Sequence, residues 1–366
     1  MTKSFYRNIT NESLTGKILD QKTCEAILRS RQTEILPLVN AAYEIRKKYW
    51  GNGVTVHIIN NLQNGLCSED CHYCAQSKSS CAKIEKYPMK SEGEILREAK
   101  IAYQSGTFRY CMVSSGRSPS EKHVDYLVSL IKKIKKLYPI EVCVSPGILD
   151  EQSIRKLKQA GLNRLNHNLN TSARYYSKIC TTHTFQDRLN TLKVARKAGL
   201  DVCSGVIFGM GESVNDIIDL ALTFRKLGVA SIPVNFLLPI PGNILKEPKN
   251  LTPEFCLRIL CLFRFLNPKS EIRIAAGREI HLRSLEAMAL YPANSLFMDG
   301  YLNTQGSNRV KTLRMIKDAG FTIVSEQKLD DLLKKEYSAQ RSFSLEDSAV
   351  RMKSAKDLHP QKQICS

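Results

Sequence analysis

The feature that most constrains the fold is a regular alternation along residues 54 to 320, in which short runs rich in β-branched residues are each followed by a longer amphipathic stretch. Eight such runs are present: Val54–Asn60, Phe108–Ser114, Ile140–Ser145, Arg164–Leu169, Asp201–Phe208, Ser231–Leu237, Glu271–Ala275 and Ser295–Met298. Between them lie helical patterns such as Gly93–Gln104, Val124–Leu137, Thr184–Ala198 and Pro253–Leu266, with Gly106 and Gly199 where C-caps fall. Strands separated by helix-length crossovers pair in parallel, and eight units predict an α/β fold of the closed (β/α)8, TIM-barrel type. An open doubly wound sheet is the alternative, but the first run leads into a long cysteine-rich segment and not into a tight glycine turn.

At about 100–200 residues per domain, 366 residues allow two domains or one large barrel. The patterning divides them into a helical N-terminal extension over 1–50 (Cys24–Arg29, then Ile35–Lys47), a barrel over 51–320 and a C-terminal extension over 321–366. Leu329–Tyr337 can form one short helix, whereas the polar, aperiodic stretch from Ser338 to Ser366 is expected to be a mobile tail. An apolar share of 43% and a charged share of 24% describe a folded globular chain. Phe255–Leu266 is interrupted by Arg258 and Arg264, far short of the roughly 20 apolar residues of a membrane span. Met1–Lys17 has no apolar core of a secretory signal, so a cytoplasmic location and no membrane partner are expected. The net charge of +19 is spread along the body of the chain, which argues against a nucleic-acid partner.

In a reducing compartment, the clustered members of the 12 cysteines read as metal or redox ligands before they read as disulfides. Cys67-Ser-Glu-Asp-Cys71-His-Tyr73-Cys74 follows the first strand and puts three thiolates on one loop. Most iron-sulfur and structural zinc sites take four protein ligands, so three leave a coordination position open for chemistry. A zinc site completed by Cys81 or His72 is the alternative. Farther along, Cys111, Cys143, Cys203 and Arg273 fall within four separate predicted strands. Alternate side chains of a barrel strand enter the lumen, so these four can meet. Asn166 and Asn168 share one face, and Asn235 lies in an otherwise apolar strand, where a buried amide without partners costs about 1–3 kcal/mol. His57, His72, His167, His183 and His281 show no ligand-like pairing, and Cys24, Cys180, Cys256 and Cys261 read as core packing.

The cysteine motif, with its aromatic before the third cysteine, resembles the signature of the radical S-adenosylmethionine superfamily. Tyr110-Cys-Met, Asn166-His-Asn-Leu-Asn-Thr-Ser172, Cys203-Ser-Gly, Gly209-Met-Gly-Glu212, Pro233-Val-Asn235 and Ala276-Gly-Arg-Glu279 resemble, in order and spacing, the biotin synthases of that superfamily over about residues 50 to 320. The resemblance implies a sulfurtransferase that inserts sulfur into dethiobiotin by way of a 5′-deoxyadenosyl radical. It implies a [4Fe-4S] cluster on Cys67, Cys71 and Cys74, with S-adenosylmethionine at its open iron, and a [2Fe-2S] cluster on Cys111, Cys143, Cys203 and Arg273 as sulfur source. It places Tyr73, Asn168, Asn170, Arg188, Gly209, Gly211 and Glu212 at the S-adenosylmethionine site and Asn166, Asn168 and Asn235 near dethiobiotin. Some family members carry aspartate at the position of Asn170, so a charge is missing here. No side chain is assigned as an acid, base or nucleophile, because the cofactors carry the radical chemistry. A homodimer and a one-electron donor of flavodoxin or ferredoxin type are implied as well.

Two other functions remain open to the sequence. One is a radical enzyme of the same barrel, of hydrogenase-maturation or methylornithine-forming type, which does not need all of Cys111, Cys143, Cys203 and Arg273. The other is a zinc-dependent nucleic-acid-binding module, whose binding would weaken steeply with salt.

Overall fold

In a computed structural model the described residues are 1–65 and 67–340. Strands β1 (Gly53–Gln63), β2 (Arg109–Ser114), β3 (Glu141–Ser145), β4 (Arg164–Asn166), β5 (Asp201–Cys203), β6 (Val206–Phe208), β7 (Ser231–Phe236), β8 (Glu271–Ile274) and β9 (Ser295–Phe297) all pair in parallel. Pairing of Thr55–His57 of β1 with Ser295–Phe297 of β9 closes the barrel. All eight expected runs carry strands, with β5 and β6 as two halves of the fifth.

The break in the fifth run follows from Gly205. Its N–H donates to Asn168 Oδ1 at 2.8 Å, and its carbonyl accepts from Asn170 N at 2.9 Å. These bonds replace regular pairing, so β4 ends at Asn166, earlier than the expected Leu169. A side chain at position 205 would meet Pro233 O at 2.9 Å and Asn168 Oδ1 at 3.0 Å, which only glycine avoids. The loop carrying Asn168 and Asn170 is thereby drawn over the mouth of the barrel.

Helices surround the sheet, and several start on side-chain caps, as in the Ser91/Glu94 capping box of the helix Glu92–Gln104. The helix Pro253–Leu266 is buried from Cys256 through Leu266 because helices Lys3–Thr15, Gln21–Arg29 and Ile35–Trp50 pack over it. Lys3–Thr15 was not among the helices expected. The two arginines inside that apolar stretch tie this packing together. Arg258 donates to Ile27 O at 2.7 Å and also to Thr33 O, while Arg264 donates to Pro292 O at 2.8 Å and Asn294 Oδ1 at 2.7 Å. Such bonds satisfy charges that would otherwise be costly to bury.

Within 321–340, strand β10 (Thr322–Ile323) pairs with Gly53–Val54 at the lower end of β1, and a helix spans Leu329–Gln340. The remainder of the expected mobile tail, residues 341–366, lies outside the described residues. Among the described residues no helix is long and apolar enough to cross a membrane.

Candidate active site

The loop after β1 is held to the wall of the barrel by its two acidic residues. Asp70 accepts from Thr181 N at 2.9 Å and Thr182 N at 3.2 Å, and Glu69 accepts from Thr182 Oγ1 at 2.7 Å and pairs with His183. Burial opposes ionisation of Asp70, yet its hydrogen bonds to Thr181 and neighbours outweigh it and hold the carboxyl below the usual range. His72 N also donates to Ile179 O at 2.9 Å, and Cys74 N to Cys71 O at 3.1 Å. The three thiols of Cys67, Cys71 and Cys74 thus face one cavity of about 240 Å³ at the C-terminal end of the strands. Active sites of such barrels lie at this end.

Around this cavity, Asn170 sits in the left-handed region at φ 66°, which asparagine tolerates, and its Nδ2 donates to Tyr73 Oη at 2.6 Å. Arg188 is half-buried and donates to Asn168 O at 2.9 Å, to His183 Nε2 at 2.9 Å and to Tyr176 Oη. Asn235 lines the cavity, with its amide committed to backbone: Nδ2 donates to Val206 O at 2.8 Å and Oδ1 accepts from Ala276 N at 3.1 Å.

Gly209, Gly211 and Glu212 form a turn behind this wall. The Glu212 carboxylate accepts from Gly209 N at 2.8 Å and Met210 N at 2.9 Å, and burial raises its pKa. Side chains at Gly209 and Gly211 would meet Leu251 at 2.6 Å and the Tyr175 hydroxyl at 2.7 Å, at φ 95° and 110°. Met210 then packs with Leu237 against Tyr73, so the motif acts on the cavity through that contact.

Deeper in the lumen lie Cys111, Cys143, Cys203 and Arg273, each at most 5% exposed. Cys111 and Cys143 are direct cross-strand partners. Cys203 Sγ accepts from Asn166 Nδ2 at 3.2 Å and lies 3.8 Å from Arg273 Nη1. Arg273 further donates to Ser295 Oγ at 3.1 Å and Ser231 Oγ at 2.9 Å, and it pairs with Glu271. A hydrogen bond with Cys143, helped by His57 and Arg273, lowers the pKa of the Cys111 thiol against the effect of burial. The small cavity of about 30 Å³ beside these thiols shares Val113, Ser145, Asn168 and Tyr301 with the larger one. Two sets of three free thiols therefore face one lumen at two depths. Soft thiolates converging without disulfides fit iron-sulfur clusters at both levels.

Three residues here escaped the sequence reading. Glu271 is buried at the floor of the lumen and pairs with Arg109, Arg164 and Arg273. His57 stands 3.1 Å from Glu271 Oε1 and against Cys111. Cys180, expected as core filling, packs its sulfur on Cys71 and Asp70. An acidic residue two places before a lumen arginine was the available signal for Glu271.

The chain is similar to several known proteins. The Radical SAM superfamily model matches residues 64–224, and that of the Biotin and Thiamin Synthesis associated domain matches residues 233–322. A biotin synthase from Magnetococcus marinus is 54% identical over 311 residues, covering 85% of this chain and 97% of its own. Another, from Acaryochloris marina, is 53% identical over 335 residues, with 92% and 96% covered. Among solved structures, methylornithine synthase is similar with a TM-score of 0.74 at 20% identity, over 88% of this chain and 98% of that one. An FeFe-hydrogenase maturase from Carboxydothermus hydrogenoformans reaches 0.73 at 19% identity, over 87% and 79%. At such identities these two structures speak to the barrel fold alone. With its relatives matched along almost their whole length, the chain belongs to the biotin synthase family of the radical S-adenosylmethionine superfamily.

Proposed function

We propose that this chain converts dethiobiotin to biotin by radical sulfur insertion at the two-level lumen. The observation that carries the reading is the layer of Val113, Ser145, Asn168 and Tyr301, which lines both the cavity of Cys67, Cys71 and Cys74 and the smaller one of Cys111, Cys143 and Arg273. A substrate resting on that layer touches the chemistry of both levels. Cys67, Cys71 and Cys74 would hold a [4Fe-4S] cluster, and Cys111, Cys143 and Cys203 a [2Fe-2S] cluster beside Arg273. When bound, the first cluster with S-adenosylmethionine supplies a 5′-deoxyadenosyl radical, and the second supplies sulfur.

The chain's own residues position the reactants and keep water out. Asn168 offers its amide to the lumen while its backbone carbonyl anchors Arg188. Tyr73, held by Asn170, lines the cavity next to the third cysteine and shapes its nucleoside side. Asn166 is tied to Ser145, Asn168 and Cys203, so it holds the layer on which the ureido ring rests. Asn235 stiffens the opposite wall. The apolar lining from Ile207, Leu237 and Leu238 suits the hydrocarbon part of dethiobiotin and excludes solvent from a reactive radical. A homodimer, an electron donor of flavodoxin or ferredoxin type and a cytoplasmic location complete the reading.

Anaerobically reconstituted protein, given S-adenosylmethionine, dethiobiotin and a reductant, should yield both 5′-deoxyadenosine and biotin by mass spectrometry. Nucleoside formation without biotin would point to another substrate, and neither product would remove the radical assignment.

A further inference from the structure

Cys180 takes no part in holding either cluster in the proposed function, yet its sulfur lies 3.7 Å from that of Cys71, the middle thiol of the upper triad. Backbone register sets this contact. His72 N donates to Ile179 O at 2.9 Å, and the Asp70 carboxylate accepts from Thr181 N at 2.9 Å. The cysteine loop and the segment after the turn Tyr176–Lys178 therefore run antiparallel, with 70 facing 181 and 72 facing 179. Cys71 and Cys180 are the facing pair between them. A disulfide needs Cα atoms about 4.4–6.8 Å apart, a span that directly facing positions of antiparallel segments satisfy. Closing the sulfurs from 3.7 Å to about 2.0 Å is within reach of side-chain rotation.

The two thiols differ in access. Cys71 lines the large cavity, whereas Cys180 stands behind it, 2% exposed, among Tyr176, Phe185 and Tyr73. An oxidant entering the cavity meets Cys71 first. A thiol oxidised to sulfenic acid either condenses with a neighbouring thiol or goes on to sulfinic acid, from which thiol reductants do not recover it. Cys180 is the neighbour in contact, held by Asp70 Oδ1 at 3.2 Å.

Resting on the reading that Cys71 holds iron, we propose that Cys71 and Cys180 form a reversible disulfide once that iron is lost, with Cys180 as the resolving thiol that spares Cys71 from over-oxidation. A peroxide is the oxidant. The Cys71 sulfur attacks one peroxide oxygen, the O–O bond breaks, and water leaves with sulfenic acid on Cys71. The Cys180 sulfur then attacks that of Cys71, the S–O bond breaks, and a second water leaves with the hydrogen of the Cys180 thiol. Each sulfur gives up one electron, and the two peroxide oxygens take up the two. A dithiol reductant restores both thiols by exchange and reopens the loop to iron.

The test uses the full chain, reconstituted anaerobically, stripped of iron with a chelator and exposed to hydrogen peroxide. Free thiols are then blocked, the chain is digested without reduction, and the peptides are sequenced by mass spectrometry. The proposal expects Cys71 joined to Cys180, and the original iron content regained on a second reconstitution after dithiol treatment. In Cys180→Ala the same treatment should leave Cys71 as sulfinic acid and lose that recovery. Cys71 joined to Cys67 or Cys74, or Cys180 found blocked in the unmutated chain, overturns the proposal, and this decision holds whether or not the variant folds. Full recovery in Cys180→Ala overturns it as well. Retention of the upper iron-sulfur signal in Cys71→Ala would instead overturn the reading that Cys71 holds iron, whichever peptides are joined.

Discussion

Cys71 and Cys180 are 109 positions apart in the chain, and their sulfur atoms lie 3.7 Å from one another. Cys180 also contacts Asp70 Oδ1 at 3.2 Å and His183 Nδ1 at 3.3 Å, so it belongs to the clamp that fixes the cysteine loop to the barrel. The two thiols are neighbours with unequal tasks. Cys71→Ala, like Cys67→Ala and Cys74→Ala, should abolish reductive cleavage of S-adenosylmethionine, because two thiolates do not hold the cluster with one iron open. Cys180→Ala should keep cleavage within about threefold of the parent, as expected for the loss of roughly 0.5 kcal/mol in a packed contact. The measurement is 5′-deoxyadenosine formed after dithionite reduction, and equal loss in both variants would place Cys180 among the ligands.

The lower triad is separable from the upper one because its thiols come from strands, not from the loop. Cys143→Ala or Cys203→Ala should remove the second iron-sulfur absorption and biotin formation while leaving part of the nucleoside cleavage. Visible spectra, iron and sulfide content and the two product yields decide it. Biotin formation at the parental rate in either variant would reduce that cysteine to core filling.

Arg273 serves Glu271, Ser231 and Ser295 at once, and lysine can reach only part of this set. Removing one partner of a buried ion pair costs about 3–5 kcal/mol, and Arg109 and Arg164 remain on Glu271 to soften the loss. Arg273→Met is therefore expected to destabilise the metal-free chain by about 3 kcal/mol in urea unfolding. Arg273→Lys should retain most stability and the coordination spectrum while shifting the reduction potential. A changed coordination spectrum in the lysine variant would make Arg273 itself a ligand.

What was legible in the sequence was periodic or closely spaced. The eight strand runs carry β-branched residues at regular intervals, and Cys67, Cys71 and Cys74 lie within one loop, so neither needs knowledge of distant partners. The lumen set was legible as a placement on strands, since Cys111, Cys143, Cys203 and Arg273 break apolar runs where chemistry is the economical reason. His57 and Glu271 were not legible in the same way. Their meaning rests on a cross-barrel contact that only strand tilt and closure bring about. Asn235 and Glu212 show the converse, because both carry groups that a ligand could use but spend them on nearby backbone. The helix Lys3–Thr15 went unseen because its buried face includes Thr10 and Ser13 among few apolar residues.

Gly205 links the fold to the cavity most directly, and its substitution is the sharpest test of that link. The N–H of Gly205 fixes Asn168 Oδ1, Asn168 borders both thiol levels, and its carbonyl takes a hydrogen bond from Arg188. In Gly205→Ala the new methyl would stand 2.9 Å from Pro233 O and 3.0 Å from Asn168 Oδ1. Pro233 sits in β7, paired with Arg273 of β8 and flanked by Ser231 and Val234, which pair with β5 and β6, so Asn168 is the group that must move. Crowding of this kind costs about 1–3 kcal/mol. The barrel should survive this loss, with circular dichroism unchanged and the urea midpoint lowered. The cavity should suffer more than the fold: a displaced Asn168 and a loosened Arg188 are expected to raise the KM for S-adenosylmethionine about tenfold, which is about 1.4 kcal/mol of binding. Iron content should stay at the parental level, since none of the six cysteines moves. Parental KM in Gly205→Ala would mean that Asn168 accommodates the methyl without leaving its place, and that the Gly205 contact shapes the strand break alone.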